Sequence, residues 1–597
     1  MDMQGFYMGQ IFDAYEFLGA HITSNGVVFR TFAPNAQKVS LVYGTKGIEI
    51  AMKQIYDGNF YEVNVPNLFA GMVYEYRIYK NDGSYTDHCD PYGFGMELRP
   101  AHKSVICDLS AYTYHDRKWM RERNTCDEAP LNIYELHLGS WKRKSDDNSS
   151  WYSYDELVIP LIQYLKENNY NYVEFLPLCE HPCDESWGYQ NTGYFSPTSR
   201  YGTALQLMKL IDLLHQNGIG AILDYVPVHF AIDEYALAKY DGSSLYEYPH
   251  FDIGLSEWGS YNFMHSRGEV RSFLQSAANY WLKEYHFDGL RMDAISRIIY
   301  WQGDERRGEN GNAVDFLKVM NKGLKQNNQG CILAAEDSTN YPNVTLSVDK
   351  GGLGFDYKWD MGWMHDTLEY FQMPPAMRQE SYHKLTFSMM YFRNERYLLP
   401  LSHDEVVHGK ATILQKMNGE YEKKFPQARA MYLYMIVHPG KKLNFMGNEI
   451  GQLREWDEKR QQDWEIVKYP THDSFHRYIE ELNRIYLACP SLSEWDYKEK
   501  GFRWLDCHQE EKCIYAIERT SKRQRTVAIF NFGEKPQKQY SVKIPTAQSV
   551  QILLNSDWEQ YGGHTPKDID IFEFVDGNIV CDLEPFSGML FLIENIK

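Results

Sequence analysis

Polar side chains follow four apolar runs of this sequence at the points where those runs end. The runs are AILDYVPVH, FDGLRMDA, CILAAED and LLPLSHD, and their polar residues are Asp224, His229, Arg291, Asp293, Glu336, His403 and Asp404. Cleavage of a glycosidic bond needs one acid to protonate the leaving oxygen. It also needs a carboxylate that attacks the anomeric carbon or activates water. These residue types therefore match glycoside chemistry, provided that the runs are strands that end at one face.

The spacing of Arg291 and Asp293 predicts that the two side chains lie side by side. Residues two apart on a strand share a face, and a neighbouring guanidinium keeps a carboxylate ionised and nucleophilic. Glu336 ends an apolar strand near other carboxylates, so we expect a raised pKa and a role as proton donor. A single acidic residue at a strand end is more often a solvated or capping group, so the interpretation depends on the combination.

Eight apolar runs between residues 133 and 449 alternate with helical segments. Continuous apolar strands separated by helices are typical of a parallel sheet that is covered on both faces. Eight of them favour a closed (β/α)8 TIM barrel, in which functional residues come from the carboxyl ends of the strands. The runs are 133–139, 172–178, 221–229, 287–294, 331–337, 354–360, 398–404 and 443–449.

Short alternating strands flank this central region on both sides. From about Val27 to Ile106 they predict an immunoglobulin-like β-sandwich, and after about Pro490 they predict a C-terminal antiparallel β-domain. The fold class is therefore multidomain, α/β plus all-β. The predicted division is 1–110 for the sandwich, 111–130 for a linker, 131–495 for the barrel and 496–597 for the C-terminal domain.

The composition excludes several classes of partner. The 61 Lys and Arg against 81 Asp and Glu give a net charge of −20, which argues against nucleic acid and anionic membranes. No apolar run approaches the roughly 18 residues of a membrane span, and the first residues lack the basic segment of a secretory signal. Ten cysteines in 597 residues predict reduced thiols and a cytoplasmic protein. Aromatic residues make up 15% of the chain, which suits a hydroxyl-rich partner such as a neutral carbohydrate.

Other motifs support no metal site and no alternative catalytic centre. His403 and His408 are five residues apart and follow a strand, whereas the HExxH zinc motif needs a spacing of four on a helix. Cys179 and Cys183 have no second pair nearby to complete four ligands. Four tryptophans could serve as sugar platforms or pack loops onto the barrel: Trp187, Trp301, Trp359 and Trp456. Of these, Trp187 and Trp301 are the preferred two.

The strings DYVPVH, DGLRMDA, AAEDST and LSHDE resemble, in order, the conserved regions of the α-amylase superfamily. Longer strings are similar to those of the 1,4-α-glucan branching enzymes: YELHLGSW, SWGYQNTGYFSPTSRYGT, GLGFDYKWDMGWMHDTL, LPLSHDEVVHGK and NFMGNEIGQLREW. Near the N-terminus, AYEFLGAH, FRTFAPNAQKVSLV and DPYGFGMELRP resemble the glucan-binding β-sandwich that precedes the barrels of that family.

The resemblance implies a role for each site residue. Asp293 would be the nucleophile, Glu336 the general acid/base and Asp404 the residue that stabilises the distorted sugar. Of the remaining residues, His229 and His403 would bind sugar hydroxyls, Arg291 would orient Asp293, Asp224 would support the polar network, and Tyr189 would stack on the sugar.

The implied reaction is a double displacement with retention that makes an α-1,6 branch on an α-1,4-glucan such as amylose or glycogen. It needs no cofactor and no metal, since acid–base and covalent catalysis cover each step. A hydrolase of the same fold, either an amylase or a debranching enzyme, is the alternative, and a non-catalytic glucan-binding protein is the third reading. Two features depart from the family pattern: a short segment after the nucleophile, 298–317, and Asn191. The residues leave the oligomeric state open.

Overall fold

The computed structural model describes residues 1–123, 128–145, 147, 150–568 and 571–595. Residues 124–127, which belong to the predicted linker, lie outside the described residues. Elsewhere in that linker the chain forms the helix Arg117–Glu122.

The eight predicted strands form a closed parallel barrel in chain order, so this prediction is confirmed. We number them β1 (Asn132–Leu136), β2 (Tyr172–Phe175), β3 (Gly220–Tyr225), β4 (Gly289–Met292), β5 (Ile332–Ala335), β6 (Tyr357–Trp359), β7 (Tyr397–Leu401) and β8 (Lys441–Phe445). Each strand is shorter than its apolar run, because the run continues past the last ladder residue into the loop that carries the polar side chains.

α-Helices separate most of the barrel strands, as the sequence predicts, whereas β5 and β6 are joined through the 3-10 helix Val348–Lys350. In Ala204–Gln216 the apolar side chains face inward and Gly218 ends the helix with a φ of 78°, a value that glycine adopts without strain. The helices are Met3–Met8, Arg117–Glu122, Leu138–Trp141, Tyr154–Glu167, Ala204–Gln216, Phe251–Gly254, Gly268–Lys283, Ile295–Ile299, Gly311–Asn327, Met361–Gln372, Lys384–Tyr391, Ile413–Lys416, Tyr421–Val437 and Pro470–Ala488.

Antiparallel sheets make up both flanking regions, as predicted. Near the N-terminus one sheet contains Gly19–Thr23, Gly26–Phe32, Phe60–Val65 and Lys53–Ile55. Its neighbour contains Ile48–Ala51, Lys38–Tyr43, Val73–Tyr79 and Tyr85–His88, with Ser104–Val105 beside it. The C-terminal sheets contain Phe502–Gln509, Ile514–Thr520, Arg525–Asn531, Ser587–Asn595 and Ala547–Asn555, and then Gln537–Lys543, Asn578–Leu583 and Phe572–Val575. The hairpin of Phe572–Val575 and Asn578–Leu583 is absent from the sequence prediction, since its strands are short, at four and six residues.

The chain divides into two compact units. The first contains residues 1–125, 137–162 and 174–356, and therefore β3, β4 and β5. The second contains residues 126–136, 163–173 and 357–597, and therefore β1, β6, β7 and β8. Within the described residues, no helix has the length and apolar character that crossing a membrane requires.

Candidate active site

Arg291 is the centre of the site in the first unit. One of its terminal nitrogens, Nη1, donates to Asp224 Oδ2 at 2.6 Å and to Asp293 Oδ1 at 2.8 Å. The other, Nη2, is 3.7 Å from Glu336 Oε2, and the Tyr189 hydroxyl donates to Asp224 Oδ2 at 2.5 Å. The structure therefore brings five of the predicted residues together, and it confirms that Arg291 and Asp293 lie side by side.

Strand pairing explains why these side chains meet. Asp224 on β3 lies opposite Arg291 on β4, and Arg291 lies opposite Ala334 on β5. After β4 the backbone turns at Ala294, a non-glycine residue with a φ of 47°. A positive φ is strained for a side-chain-bearing residue and is found most often at functional sites. The turn aims the Ala294 N–H at Glu336 Oε2, 2.7 Å away.

Burial differs between the supporting pair and the two reactive carboxylates. Asp224 and Arg291 are almost inaccessible, at 1% and 2% exposed, whereas the side chains of Asp293 and Glu336 keep 15% and 18% of their surface. Burial by itself would lower the pKa of Arg291, but the negative charge of Asp224 raises it well above its ordinary value. The cluster therefore has a permanent cation behind two carboxylates that a ligand can reach.

His229 lies on the same unit and is neutral. Its side chain is buried, and burial together with the positive charge of Arg297 lowers its pKa to about 4. A neutral imidazole can exchange hydrogen bonds with a sugar hydroxyl in either direction. His229 pairs with Asn262 in a short antiparallel ladder, which fixes it at the start of the loop that follows β3.

The four candidate tryptophans have different surroundings. Trp187 is half-buried and has a φ of 55°. Trp301 is also half-buried and packs edge-on against Tyr248, with ring centroids 5.7 Å apart. Trp359 and Trp456 are only 1% and 6% exposed, so neither has a free ring face for a sugar. The preference for Trp187 and Trp301 is consistent with this burial.

His403 and Asp404 belong to the second unit. The His403 backbone N–H donates to Glu135 Oε2 at 2.9 Å, and its ring Nδ1 is 2.6 Å from Glu135 Oε1. Asp404 follows, with 57% of its side chain exposed. Glu135 thus fixes both the backbone and the ring of His403, and this fixes the start of the loop that carries Asp404.

Two residues that organise this loop, Glu135 and Lys416, are absent from the predicted site. Lys416 donates to the carbonyl oxygens of Glu405, Lys410 and Ala411, and burial lowers its pKa to about 8. Glu135 lies in YELHLG, directly before the polar end of a predicted strand, and that position was a usable signal. Lys416 gave no signal, because a helical lysine is normally solvated.

The structure shows where the residues of the two candidate metal motifs lie. His408 is exposed, and the structure holds Cys183 near the surface and Cys179 in the interior. In the parts of the chain that the structure describes, no three His, Cys, Asp or Glu side chains are grouped so that they could hold a metal ion.

Family models match three segments of the chain. Residues 17–93 match carbohydrate-binding module 48 (isoamylase N-terminal domain), residues 255–533 match the alpha amylase catalytic domain, and residues 504–594 match the alpha amylase C-terminal all-beta domain. These matches agree with the order of sandwich, barrel and C-terminal sheets.

Curated relatives extend over nearly the whole chain. The 1,4-alpha-glucan branching enzyme GlgB 1 of Clostridium perfringens (strain SM101 / Type A) is 43% identical over 94% of this chain and 86% of its own length. The 1,4-alpha-glucan branching enzyme GlgB of Bacillus subtilis (strain 168) is 41% identical over 94% of this chain and 91% of its own length.

Among solved structures, pullulanases share the fold. The enzyme from Bacillus acidopullulyticus aligns with a TM-score of 0.74 and 17% identity over 97% of this chain and 75% of its own. The pullulanase from Paenibacillus barengoltzii, in complex with maltohexaose and alpha-cyclodextrin, aligns with a TM-score of 0.75 and 15% identity over 100% of this chain and 97% of its own. Identity this low supports the fold alone.

Proposed function

The chain belongs to the 1,4-alpha-glucan branching enzymes of the alpha-amylase family, and from that premise we propose how its residues carry out the reaction. A branching enzyme cleaves an α-1,4-linked glucan and transfers the released segment to a 6-hydroxyl of a glucan chain. The product is an α-1,6 branch. Glycogen and amylose are accordingly the proposed substrates.

Asp293 is the nucleophile in this proposal. Its carboxylate attacks the anomeric carbon, while Glu336 protonates the departing 4-oxygen, so that a glycosyl ester of Asp293 forms and the α-1,4 bond breaks. Glu336, now ionised, then removes the proton from an acceptor 6-hydroxyl, whose oxygen attacks the same carbon and releases Asp293. Each half-reaction inverts the carbon, so the configuration is retained.

The surroundings of the two carboxylates support these roles. The 2.8 Å contact with Arg291 stabilises the ionised form of Asp293, because a fixed positive charge favours the carboxylate. Glu336 accepts the Ala294 N–H through Oε2, and this fixes the orientation of its carboxyl group. The arrangement around Arg291 is the single observation that carries the proposal.

The remaining residues position the substrate. In this proposal Asp404, His229 and His403 bind hydroxyls of the sugar at the cleaved bond, and Tyr189 stacks on that sugar. Asp224 accepts hydrogen bonds from Arg291 and Tyr189, which makes it a supporting residue rather than a reacting one. The partly exposed indoles of Trp187 and Trp301 are proposed to contact further glucose units.

We also propose a role for the N-terminal region, a cellular location and the classes of partner that the protein does not bind. The region 1–110 would bind glucan, a role that the match to carbohydrate-binding module 48 supports; the boundaries of 111–130, 131–495 and 496–597 stay predictions. Cytoplasmic placement is supported by the free thiols of the nine described cysteines. The net charge of −20 supports the expectation that neither nucleic acid nor membrane is a partner.

Incubation with linear amylose tests the function against the hydrolase alternative. Branching lowers the iodine colour with few new reducing ends, whereas hydrolysis creates reducing ends in step with the loss of colour. Asp293→Asn and Glu336→Gln should each reduce branching by about 10³-fold or more, because each removes a group that takes part in bond formation. Thermal unfolding should stay close to that of the wild type, and wild-type rates in either variant would contradict its assigned role.

A further inference from the structure

Trp258 is a large apolar side chain at the rim of the site, and 46% of its surface is exposed. It lies in the tight turn Ser256–Ser260, where the Ser256 hydroxyl accepts the backbone N–H groups of Trp258 and Ser260 at 3.2 Å each. Gly259 completes the turn with a φ of 75°. The turn holds the indole at the surface although burial would be favourable for it.

Two residues of the site region contact the indole. The His229 ring lies 5.2 Å from it, centroid to centroid, with the planes tilted by 41°. The Arg297 guanidinium lies over the indole at 5.0 Å, on the helix that begins two residues after Asp293. In addition, Gln190, the neighbour of Tyr189, donates to the Trp258 carbonyl at 3.1 Å. Three contacts therefore fix Trp258: its ring touches His229 and Arg297, and its backbone is bound by Gln190.

The short segment after the nucleophile braces this arrangement. Gln302 donates from Nε2 to the carbonyls of Asp252 and Leu255, both at 2.8 Å, and its own carbonyl accepts from Arg297. Arg297 also forms an ion pair with Glu257. The indole is therefore ordered before any ligand arrives, which lowers the entropic cost of binding.

From this geometry we propose that Trp258 is a glucan-binding platform, stacking on a glucose unit next to the one that His229 contacts. A pyranose ring presents a face of C–H groups, which packs on the electron-rich face of an indole. Arg297 covers part of the indole, and the exposed part is left for the sugar. This inference rests on the proposed function, since it places a further unit of the same substrate. It assigns to the short segment 298–317 a part in selecting the chain that is transferred.

Steady-state branching of amylose by Trp258→Ala tests the platform. The KM for amylose should rise about 3- to 10-fold, the value of one stacking contact, while kcat stays within about twofold. Trp258→Phe should restore most of the affinity, and the transferred chains, released by debranching and sized, should change in length. The matched control is Phe251→Ala, on the same segment and 80% exposed, which should change neither quantity.

Binding without turnover separates this inference from the proposed function. Maltoheptaose is titrated by calorimetry into Asp293→Asn and into the same variant carrying Trp258→Ala, and the second should bind about 3- to 10-fold more weakly. An unchanged affinity, or an equal loss in Phe251→Ala, would overturn the platform while leaving the branching activity of the wild type intact. A wild type without branching activity would instead overturn the proposed function.

Discussion

Two charged clusters lie at opposite ends of the same two barrel strands, β3 and β4, and each has a cation between carboxylates. At the carboxyl end Arg291 joins Asp224 to Asp293. At the amino end His215 donates from Nδ1 to Asp116 at 2.7 Å and from Nε2 to Asp288 at 2.9 Å. The clusters have similar geometry, but their chemistry differs because one cation is an arginine and the other a histidine.

Exposure separates the two clusters. At the amino end the side chains of His215, Asp116 and Asp288 are all at most 1% exposed, so no ligand reaches them. Asp288 also accepts the backbone N–H of Ala221 at 2.7 Å and thereby links the starts of β4 and β3. At the carboxyl end Asp293 and Glu336 remain accessible. The amino-end cluster therefore stabilises the fold, whereas the carboxyl-end cluster is available for chemistry.

Whether the cation is an arginine or a histidine determines how the charge of each cluster depends on pH. Arginine stays protonated throughout the range in which proteins are folded, so the field at Asp293 is constant. Burial opposes a charge on His215, but Asp288 and Asp116 outweigh burial and raise its pKa to about 9. The pKa of Asp288 and of Asp116 is lowered in return, since His215, together with Arg123 at Asp288 and His286 at Asp116, outweighs burial there. The titratable cation His215 therefore makes the stability of the fold depend on pH, whereas Arg291 supplies a charge that does not change with pH.

The largest effect is expected from Arg291→Lys. Lysine keeps the charge but cannot contact Asp224, Asp293 and Glu336 together, because it has a single nitrogen in place of the guanidinium fork. Initial rates on amylose should show kcat/KM lower by about 10²-fold or more. His215→Gln is the control and should leave the rate within about twofold. If kcat/KM of Arg291→Lys stayed within tenfold of the wild type, the Arg291 cluster would not be the catalytic one of the two.

The next effect concerns stability, and its sign follows from the pKa of His215. In the unfolded chain the imidazole loses its proton near pH 6.5, whereas in the folded protein it holds the proton to about pH 9. The interaction of protonated His215 with Asp116 and Asp288 therefore stabilises the fold fully below pH 6.5. Its contribution of about 3 kcal/mol is lost as the pH rises through 9. Unfolding midpoints of the wild type should fall across this window.

His215→Gln removes that dependence. Below pH 6.5 the variant should be less stable than the wild type by about 3 kcal/mol. Asp116 and Asp288 lose the cation between them and keep only their contacts with His286 and Arg123. The difference should shrink as the pH approaches about 9.5, where the wild-type imidazole is neutral as well. Denaturant unfolding at several pH values measures it, and a constant difference across the range would show that His215 acts through packing alone.

Only one of these clusters could be predicted from the sequence. The string FDGLRMDA contains both Asp288 and Asp293. The barrel pattern predicts functional residues only at the carboxyl ends of strands, so it predicts a role for Arg291 and Asp293 and none for Asp288. The eight strands were predicted because apolar runs of that length have few alternatives. The roles of Trp258 and Glu135 are not predicted from the sequence. They depend on contacts with residues far along the chain, His229 and His403, and no local spacing encodes such contacts.

The smallest effects come from a matched pair of substitutions that remove one neutral donor from each cluster. Tyr189→Phe deletes the hydroxyl on Asp224 and keeps the ring. Trp119→Phe deletes the N–H that binds Asp288 Oδ1 at 2.8 Å and keeps a ring stacked on His215. A buried hydrogen bond to a charged group contributes about 1.5 kcal/mol or more. Tyr189→Phe should therefore lower kcat about tenfold with little change in the unfolding midpoint. Trp119→Phe should lower the midpoint and spare kcat. If both variants lowered kcat, or both lowered the unfolding midpoint, the two ends of β3 and β4 would form one functional unit. The assignment of catalysis to the Arg291 cluster and of stability to the His215 cluster would then be wrong.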